Sequence, residues 1–455
     1  MGEVYIKRNG RVPPESLARR IGGWLPSNPH RIQKHVREVL RQAKAANFPI
    51  APPIATLQNL LNSTPTVRML FTEMLTEVPA KYTSYPGGAP NAECRTVDDL
   101  IAALNYQIQN PISWNDSVQI GTPINGLLDW PMATKAGFAA FIRDDVNNVF
   151  QEMLKYWGVF LRSPASNVTI TTAKDGWLST EAQAKGGLKN FLKTYVVPDP
   201  TNTITYGFEN WDQFFTRQFL PDLRPVASPD DDNVIVSATE STPFEIQRQV
   251  QLQDTFWVKN QDERSNYSLA DMLGGKEIAE KFVGGTVYQA FLSADSYHNW
   301  HAPVSGKYFQ PPTIINGTYY SEPIMWSFNN DQGKSDPDKA SDELSQGYIS
   351  AVAKRGVALI QADNPAIGLM AIVMIGMAEV SSVDFFENSN NCFKKGDPIG
   401  CFHFGGSTHC LIFGPNVNVE FAPNADPYPN LHYNDNHHPQ VQVKSLLATV
   451  TPPSN

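Results

Sequence analysis

The sequence predicts an α+β protein, with a helical N-terminal domain over residues 1–200 and a mostly antiparallel β domain over 205–455. Three observations carry this. Apolar residues recur at helical spacing through the first part of the chain. Beyond about residue 230, short β-branched and aromatic runs alternate with turn signals. Between the two lies Val196 to Thr205, VVPDPTNTIT, a Pro/Asn/Thr-rich connection that reads as a domain boundary.

The elements follow in order. Ile32, Val36, Val39, Leu40 and Ala43 fall on one face of a first helix, with Lys34, Arg37, Arg41 and Lys44 on its other faces as a solvated surface. A second helix follows Ala51-Pro52-Pro53, and Pro65 punctuates it before Val67, Leu70, Phe71 and Met74. Thr96 and Asp99 make an N-cap and N3 pair ahead of Leu100, Ile101 and Leu104. The longest helix is predicted from about Lys135 to Leu161, with a stripe of Phe138, Ile142, Val146, Val149, Phe150, Met153 and Trp157. After the boundary, Trp211 to Phe219 is a short amphipathic segment. Strands are predicted at Asn233 to Ser237, Phe244 to Val250, Thr255 to Val258, Thr286 to Leu292 and Leu369 to Val380. A helix at Ser268 to Leu273 ends at Gly274-Gly275, Asn329 to Gly347 is a surface loop, and Asn424 to Pro439 is a polar tail.

The totals bound the function. Of 455 residues, 41% are apolar and 18% charged, enough for a substantial core and too apolar overall for a disordered chain. A net charge of -9 gives no electrostatic case for nucleic acid. Four cysteines are too few for a disulfide framework, which points to a reducing compartment and a cytoplasmic location. No run approaches the length of a membrane span, and MGEVYIKRNGRVPPES lacks the apolar stretch of a signal peptide.

Chemistry concentrates in Lys395 to Gly414, KGDPIGCFHFGGSTHCLIFG, read as a strand, a Gly-Gly-Ser-Thr break and a second strand. Attack of the Ser407 hydroxyl on the Gly406 carbonyl would turn that amide into an ester. Elimination would free Gly406 as a C-terminus and leave a dehydroalanine, which hydrolyses to a pyruvoyl group at 407. Such a carbonyl condenses with an amine and withdraws electrons. An ordinary glycine-bearing turn is the alternative. Self-cleavage needs a base, and SADSYHNWHAPVSGK offers His298 and His301. No HExxH pattern is present, and no cysteine or carboxylate at zinc-ligand spacing completes a set, so no metal is assigned. For Asp435, His437 and His438 a solvated tail is the simpler reading. Glu240, at the end of a predicted strand in VSATESTP, could orient a base.

Taken together, FFTRQF with Arg224-Pro225, VSATES, YSLADMLGG, FLSADSYHNWHAPVSG, KKGDPIGCFHF and GGST resemble the phosphatidylserine decarboxylase family of pyruvoyl-dependent enzymes, over roughly residues 205–420. The resemblance implies a precursor cleaved between Gly406 and Ser407 into fragments 1–406 and 407–455. Ser407 would become the covalent pyruvoyl cofactor, His301 the processing base, Glu240 its acidic partner, and His298 an assistant to decarboxylation. The sequence departs from the family at Glu240, where aspartate is usual, at Ala353-Lys354-Arg355 in place of asparagine-x-arginine, and at Gly405. These departures, with MATKAGFAAFIRDDVN, are similar to the fungal branch of aromatic amino acid (L-tryptophan) decarboxylases. That branch implies a free aromatic amino acid as substrate. The alternatives are a phosphatidylserine decarboxylase making phosphatidylethanolamine, and an unprocessed ligand-binding member of the family. Stable membrane association is not expected, and a homo-oligomer is left open.

Overall fold

The computed structural model describes residues 30–46, 48–78, 94–114, 122–132, 134–184, 186–254, 267–319, 346–377, 379–380, 382–387, 391–427 and 440–451. Its N-terminal part is helical: α1 (His30–Ala45), α2 (Pro52–Ser63), α3 (Pro65–Thr76), α4 (Val97–Gln107), α5 (Pro123–Met132), α6 (Lys135–Phe141) and α7 (Asp144–Leu161). Pro52 and Pro65 open α2 and α3, where a missing N–H costs nothing. Thr96 caps α4, its hydroxyl accepting from the Asp99 amide at 3.1 Å, as the Thr-x-x-Asp spacing predicts. Val36, Val39 and Leu40 bury the apolar face of α1 in the helical core.

The single long helix predicted from Lys135 to Leu161 is two. α6 ends at Phe141, Arg143 is extended, and Asp144 and Asp145 open α7, where acidic side chains favour the positive helix end. Ile142 falls in the break and is exposed, and Phe138 only half-buries, so the stripe that reaches the core runs from Val146 to Leu161.

The C-terminal part is antiparallel β structure. An eight-stranded sheet runs β10 (Cys392–Phe393), β5 (Gly306–Tyr308), β7 (Arg355–Ala362), β8 (Leu369–Met377), β12 (Gly406–Phe413), β3 (Thr286–Leu292) and β2 (Thr242–Arg248), with β6 (Thr313–Ile315) also on β7. Two three-stranded sheets accompany it: β4 (Asn299–His301), β11 (Pro398–His403) and β9 (Ser382–Phe385); and β1 (Val234–Val236), β14 (Leu446–Val450) and β13 (Val419–Phe421). Strand β12 is buried along its whole length because both faces are covered. Leu411 and Phe413 point into one core with Trp300 and Phe402, and Cys410 and Ile412 into another with Tyr267 and Leu269.

The strand predicted at Thr255 to Val258 lies outside the described residues, as do most of the loop at Asn329 to Gly347 and of the tail to Pro439, with Asp435, His437 and His438. The break between the two strands of the GGST stretch falls at Phe404–Gly405, since Gly406, Ser407 and Thr408 are already paired in β12. Strand β8 stops at Met377, three residues before its predicted end, and Val380 folds back over it. The helical core also continues past the predicted boundary to Trp211, Phe214 and Phe215 of a short helix, α8 (Trp211–Phe215), and takes in Phe404.

Candidate active site

Ser407 is the second residue of β12, with Leu292 of β3 on one side and Gly376 of β8 on the other. Alternation along the strand puts its side chain on the face shared with His409, Leu411 and Phe413. The residue is fully buried, and its hydroxyl has no hydrogen-bond partner. Leaving a buried hydroxyl unpaired costs about 1–3 kcal/mol, and such groups in native proteins usually have a use.

Immediately upstream the backbone is strained. Phe404 has φ of 22° and Gly405 of 128°, both in the left-handed range. A Cβ on Gly405 would lie 2.7 Å from the Val380 amide nitrogen, so glycine is required there twice over. Val380 also covers Gly376, where a Cβ would come within 2.4 Å of its carbonyl oxygen. The segment Glu379–Val380 therefore seals the strand beside the Gly406–Ser407 bond. Phe404 is held by edge contacts to Trp157 and Trp211, with ring centroids 4.9 and 5.0 Å away. Helical and β parts thus share the residue next to the break.

Several of the motifs quoted from the sequence are tied to one another by hydrogen bonds. From FFTRQF, Arg217 donates to the Phe214, Asp295 and Ser296 carbonyls, and Gln218 bonds both Asn299 and the Tyr297 hydroxyl. The His301 amide donates to the Ala238 carbonyl at 2.9 Å, and the Ala302 amide to Asp397 of the KKGDPIG segment at 2.8 Å. Lys395 gathers the carbonyls of Ser228, Asp231 and Val234 at the start of β1. Arg355 instead holds the Met272 carbonyl of α9 (Leu269–Leu273), which suits a structural role.

The two histidines differ. His301 Nδ1 lies 2.8 Å from the Gly396 carbonyl and Nε2 lies 3.0 Å from the Tyr297 hydroxyl. A carbonyl can only accept, so the proton sits on Nδ1 and Nε2 keeps its lone pair. Burial, with Lys444 nearby, pushes the imidazole down to about 4, so it is neutral and basic at ordinary pH. His298 is fully buried and stacks on Phe215, with centroids 3.9 Å apart, and neither ring nitrogen has a hydrogen-bond partner. Burial, then the Arg217 charge, holds its pKa well below the usual histidine range, and main-chain groups of Ser293 and Ser296 pull weakly the other way.

Glu240 does not bond His301. Its carboxylate accepts two hydrogen bonds from Arg224, at 2.7 and 3.0 Å, and one from the Val443 amide at 2.9 Å. Arg224 lies 4.3 Å over the Phe219 ring, which packs at 4.3 Å on Tyr297. Glu240 therefore reaches His301 through Arg224, Phe219 and Tyr297. The extra methylene relative to aspartate lets the carboxylate span Arg224 and the Val443 amide together.

Three groups went unremarked in the sequence. His409, on the face of Ser407, sets Nδ1 against the Ala290 carbonyl and the Thr239 hydroxyl and leaves Nε2 unpartnered. His403 contacts Asp212 at 2.7 Å and Asp384 at 3.0 Å; burial would lower its pKa, but the two carboxylates outweigh it and push it up to about 11. Glu379 is a buried carboxyl beside the turn at Gly405. Two-residue alternation from Ser407 could have flagged His409, whereas nothing local in the sequence marks the other two.

The chain resembles known decarboxylases. Family models described as phosphatidylserine decarboxylase match residues 51–185 and 211–430. The chain is 38% identical to the decarboxylase iboD of Amanita muscaria, over 77% of this chain and 98% of that protein. It is 30% identical to the L-tryptophan decarboxylase of Psilocybe cubensis, over 90% and 91%. To phosphatidylserine decarboxylase proenzyme 3 of Schizosaccharomyces pombe it is 28% identical over 46% of this chain and 19% of that one. The protein is a carboxy-lyase. It belongs to the phosphatidylserine decarboxylase family, in the branch of the fungal tryptophan decarboxylases.

Proposed function

We propose that this chain is a pyruvoyl-dependent decarboxylase of free aromatic L-amino acids, converting L-tryptophan to tryptamine, and that it matures by cleaving itself between Gly406 and Ser407. The observation that carries this is the buried, unpartnered Ser407 hydroxyl directly after the strained Phe404–Gly405 turn. His301 acts as processing base; its Nε2, which contacts the Tyr297 hydroxyl in this structure, turns to take the Ser407 proton as the oxygen attacks the Gly406 carbonyl. Loss of the Ser407 α-proton then expels the Gly406 carboxylate, and hydrolysis of the resulting dehydroalanine releases ammonia. Glu240 is a positioning residue that acts through Arg224 and Tyr297.

The surroundings fit a pyruvoyl group at residue 407, whose Cα would carry the ketone and Cβ the methyl: the side chain is buried, and no protein hydrogen bond to its hydroxyl has to be given up when that oxygen leaves with Gly406. That group supplies an electron sink for the pair left behind when CO₂ departs. His298, with both nitrogens uncommitted and its ring fixed on Phe215, is the residue we assign to the decarboxylation step. Fragments 1–406 and 407–455 stay together, because β12 keeps its ladders to β3 and β8 on either side of it. We divide the chain into an N-terminal domain, residues 1–200, and a catalytic domain, residues 205–455, with the helical core reaching across the boundary to Trp211, Phe214 and Phe215. We place the enzyme in the cytoplasm; among the described residues no helix is long and apolar enough to cross a membrane.

Phosphatidylserine is the second reading, favoured by the family models and by the proenzymes that match. Purified enzyme is offered L-tryptophan and dispersed phosphatidylserine without pyridoxal phosphate, with products identified by mass spectrometry. Tryptamine formation that survives dialysis and is stopped by a hydrazine is expected. Turnover of the lipid alone overturns the amino acid assignment.

A further inference from the structure

A cleft of about 250 Å³ lies where the helical and β parts meet, lined by Leu154, Trp157, Gly158 and Leu161 of α7, by Phe404, and by Glu379. It abuts the scissile strand, since Phe404 and Glu379 flank Gly405, whose Cβ would come within 3.1 Å of the Glu379 carbonyl carbon. The charged groups that share its wall are already engaged with one another. Asp212 takes His403 at 2.7 Å and Arg162 at 3.4 Å, and His403 also meets Asp384. Lys155 completes the basic side of the lining.

Glu379 is different. One carboxylate oxygen accepts from the Asn125 amide in the first turn of α5 at 2.8 Å, while the other has no partner. The residue is 3% exposed, and burial pushes its pKa up to about 8 against the pull of the neighbouring amides. At neutral pH such a carboxyl is mostly protonated, and a cation brought against its free oxygen would favour the carboxylate and pair with it. Around it stand aromatic and aliphatic side chains and, at Gly158, open space: a Cβ there would meet only Arg162 Nη1, at 3.5 Å.

We infer that this cleft is the binding site for the substrate as a free arylalkyl amino acid, with Glu379 holding its amine and Trp157 and Phe404 packing its ring. The inference rests on the amino acid reading above and adds the group that holds the amine beside the Phe404–Gly405 turn, just upstream of residue 407. It also explains why helix α7 belongs to the site, since α7 supplies six of the lining residues.

The test uses processed enzyme and two probes. N,N-dimethyl-2-phenylethylamine keeps the cation and one N–H but cannot condense with a carbonyl, and 2-phenylethanol is its neutral counterpart. Titration followed by calorimetry should show wild-type enzyme preferring the amine by at least about tenfold, the size of one charge-assisted hydrogen bond. Glu379→Gln should still self-cleave, lose most of that preference and raise KM for the amino acid more than it lowers kcat. Gly158→Leu, which fills the cleft without straining α7, should weaken both probes together. Equal amine preference in wild type and Glu379→Gln, or undiminished binding to Gly158→Leu, overturns the proposal. A Glu379-dependent amine preference in an enzyme that turns over only phosphatidylserine would overturn the substrate reading and leave the amine site standing.

Discussion

His301 and Ser407 are both buried but in opposite states of satisfaction. Around His301, the imidazole, Tyr297, Gln218, Arg224 and Glu240 are all hydrogen-bonded, and Lys395 and Arg217 tie the supporting loops. By contrast, the Ser407 hydroxyl, both nitrogens of His298, Nε2 of His409 and one oxygen of Glu379 have no partner. A satisfied network fixes geometry, and each unsatisfied group holds capacity in reserve for a reacting molecule. In the function we propose, the first group positions and the second reacts.

That division is sharpest if the histidines are separated. His301→Ala should stop self-cleavage, because removing a positioned base typically costs about 10²–10⁴ in rate. His298→Ala should cleave normally and decarboxylate poorly, by a similar factor. Gel electrophoresis for cleavage and CO₂ release for turnover read the two separately. A His298→Ala enzyme with full turnover would remove that residue from the reacting side.

A smaller effect is expected one layer out. Glu240→Gln should slow processing without abolishing it, since Glu240 works through Arg224 rather than on Ser407. It should also lower Tm, because the Arg224–Glu240 pair is only 16% and 8% exposed and breaking a buried pair costs about 3–5 kcal/mol. Glu240→Asp should restore part of the rate, keeping the charge but not both contacts. Normal processing in Glu240→Gln would mean the pair is purely structural.

The smallest effect concerns pH. With His301 held near 4, the base stays neutral well below the ordinary histidine value of 6.5, so the processing rate of newly made precursor should change little from about pH 8 to 5. A rate that falls through pH 6.5 would place the base in a solvated setting. Stability behaves differently. His301 and His409, both lowered to about 4, make folding less favourable as pH drops from 6.5 toward 4, where the unfolded chain binds the protons. His403, raised to about 11, stabilises fully below 6.5, and its contribution is lost as pH climbs toward 11.

Much of this was legible in the sequence where local rules decide. The Thr96 cap and the limits of Thr286–Leu292 follow from side-chain chemistry and alternation within a few residues. The break at Ile142–Arg143 was hidden because apolar periodicity carries straight across it. The turn at Phe404–Gly405 was displaced by one position because two adjacent glycines offer two places to bend, and only packing against Val380 selects the first. Glu240 was found, but its partner was not: Arg224 and Glu240 are joined by tertiary structure, as are Glu379 and the start of α5. Long-range pairings of that kind leave no spacing to read.

The central claim is that the reserved hydroxyl of Ser407 is spent in cutting its own chain. Denaturing mass spectrometry of purified, active enzyme tests it most directly. Fragments 1–406 and 407–455 are predicted, the second beginning with a pyruvoyl group in place of serine, while Ser407→Ala remains a single inactive chain. A fully active, intact chain of 455 residues would contradict the account.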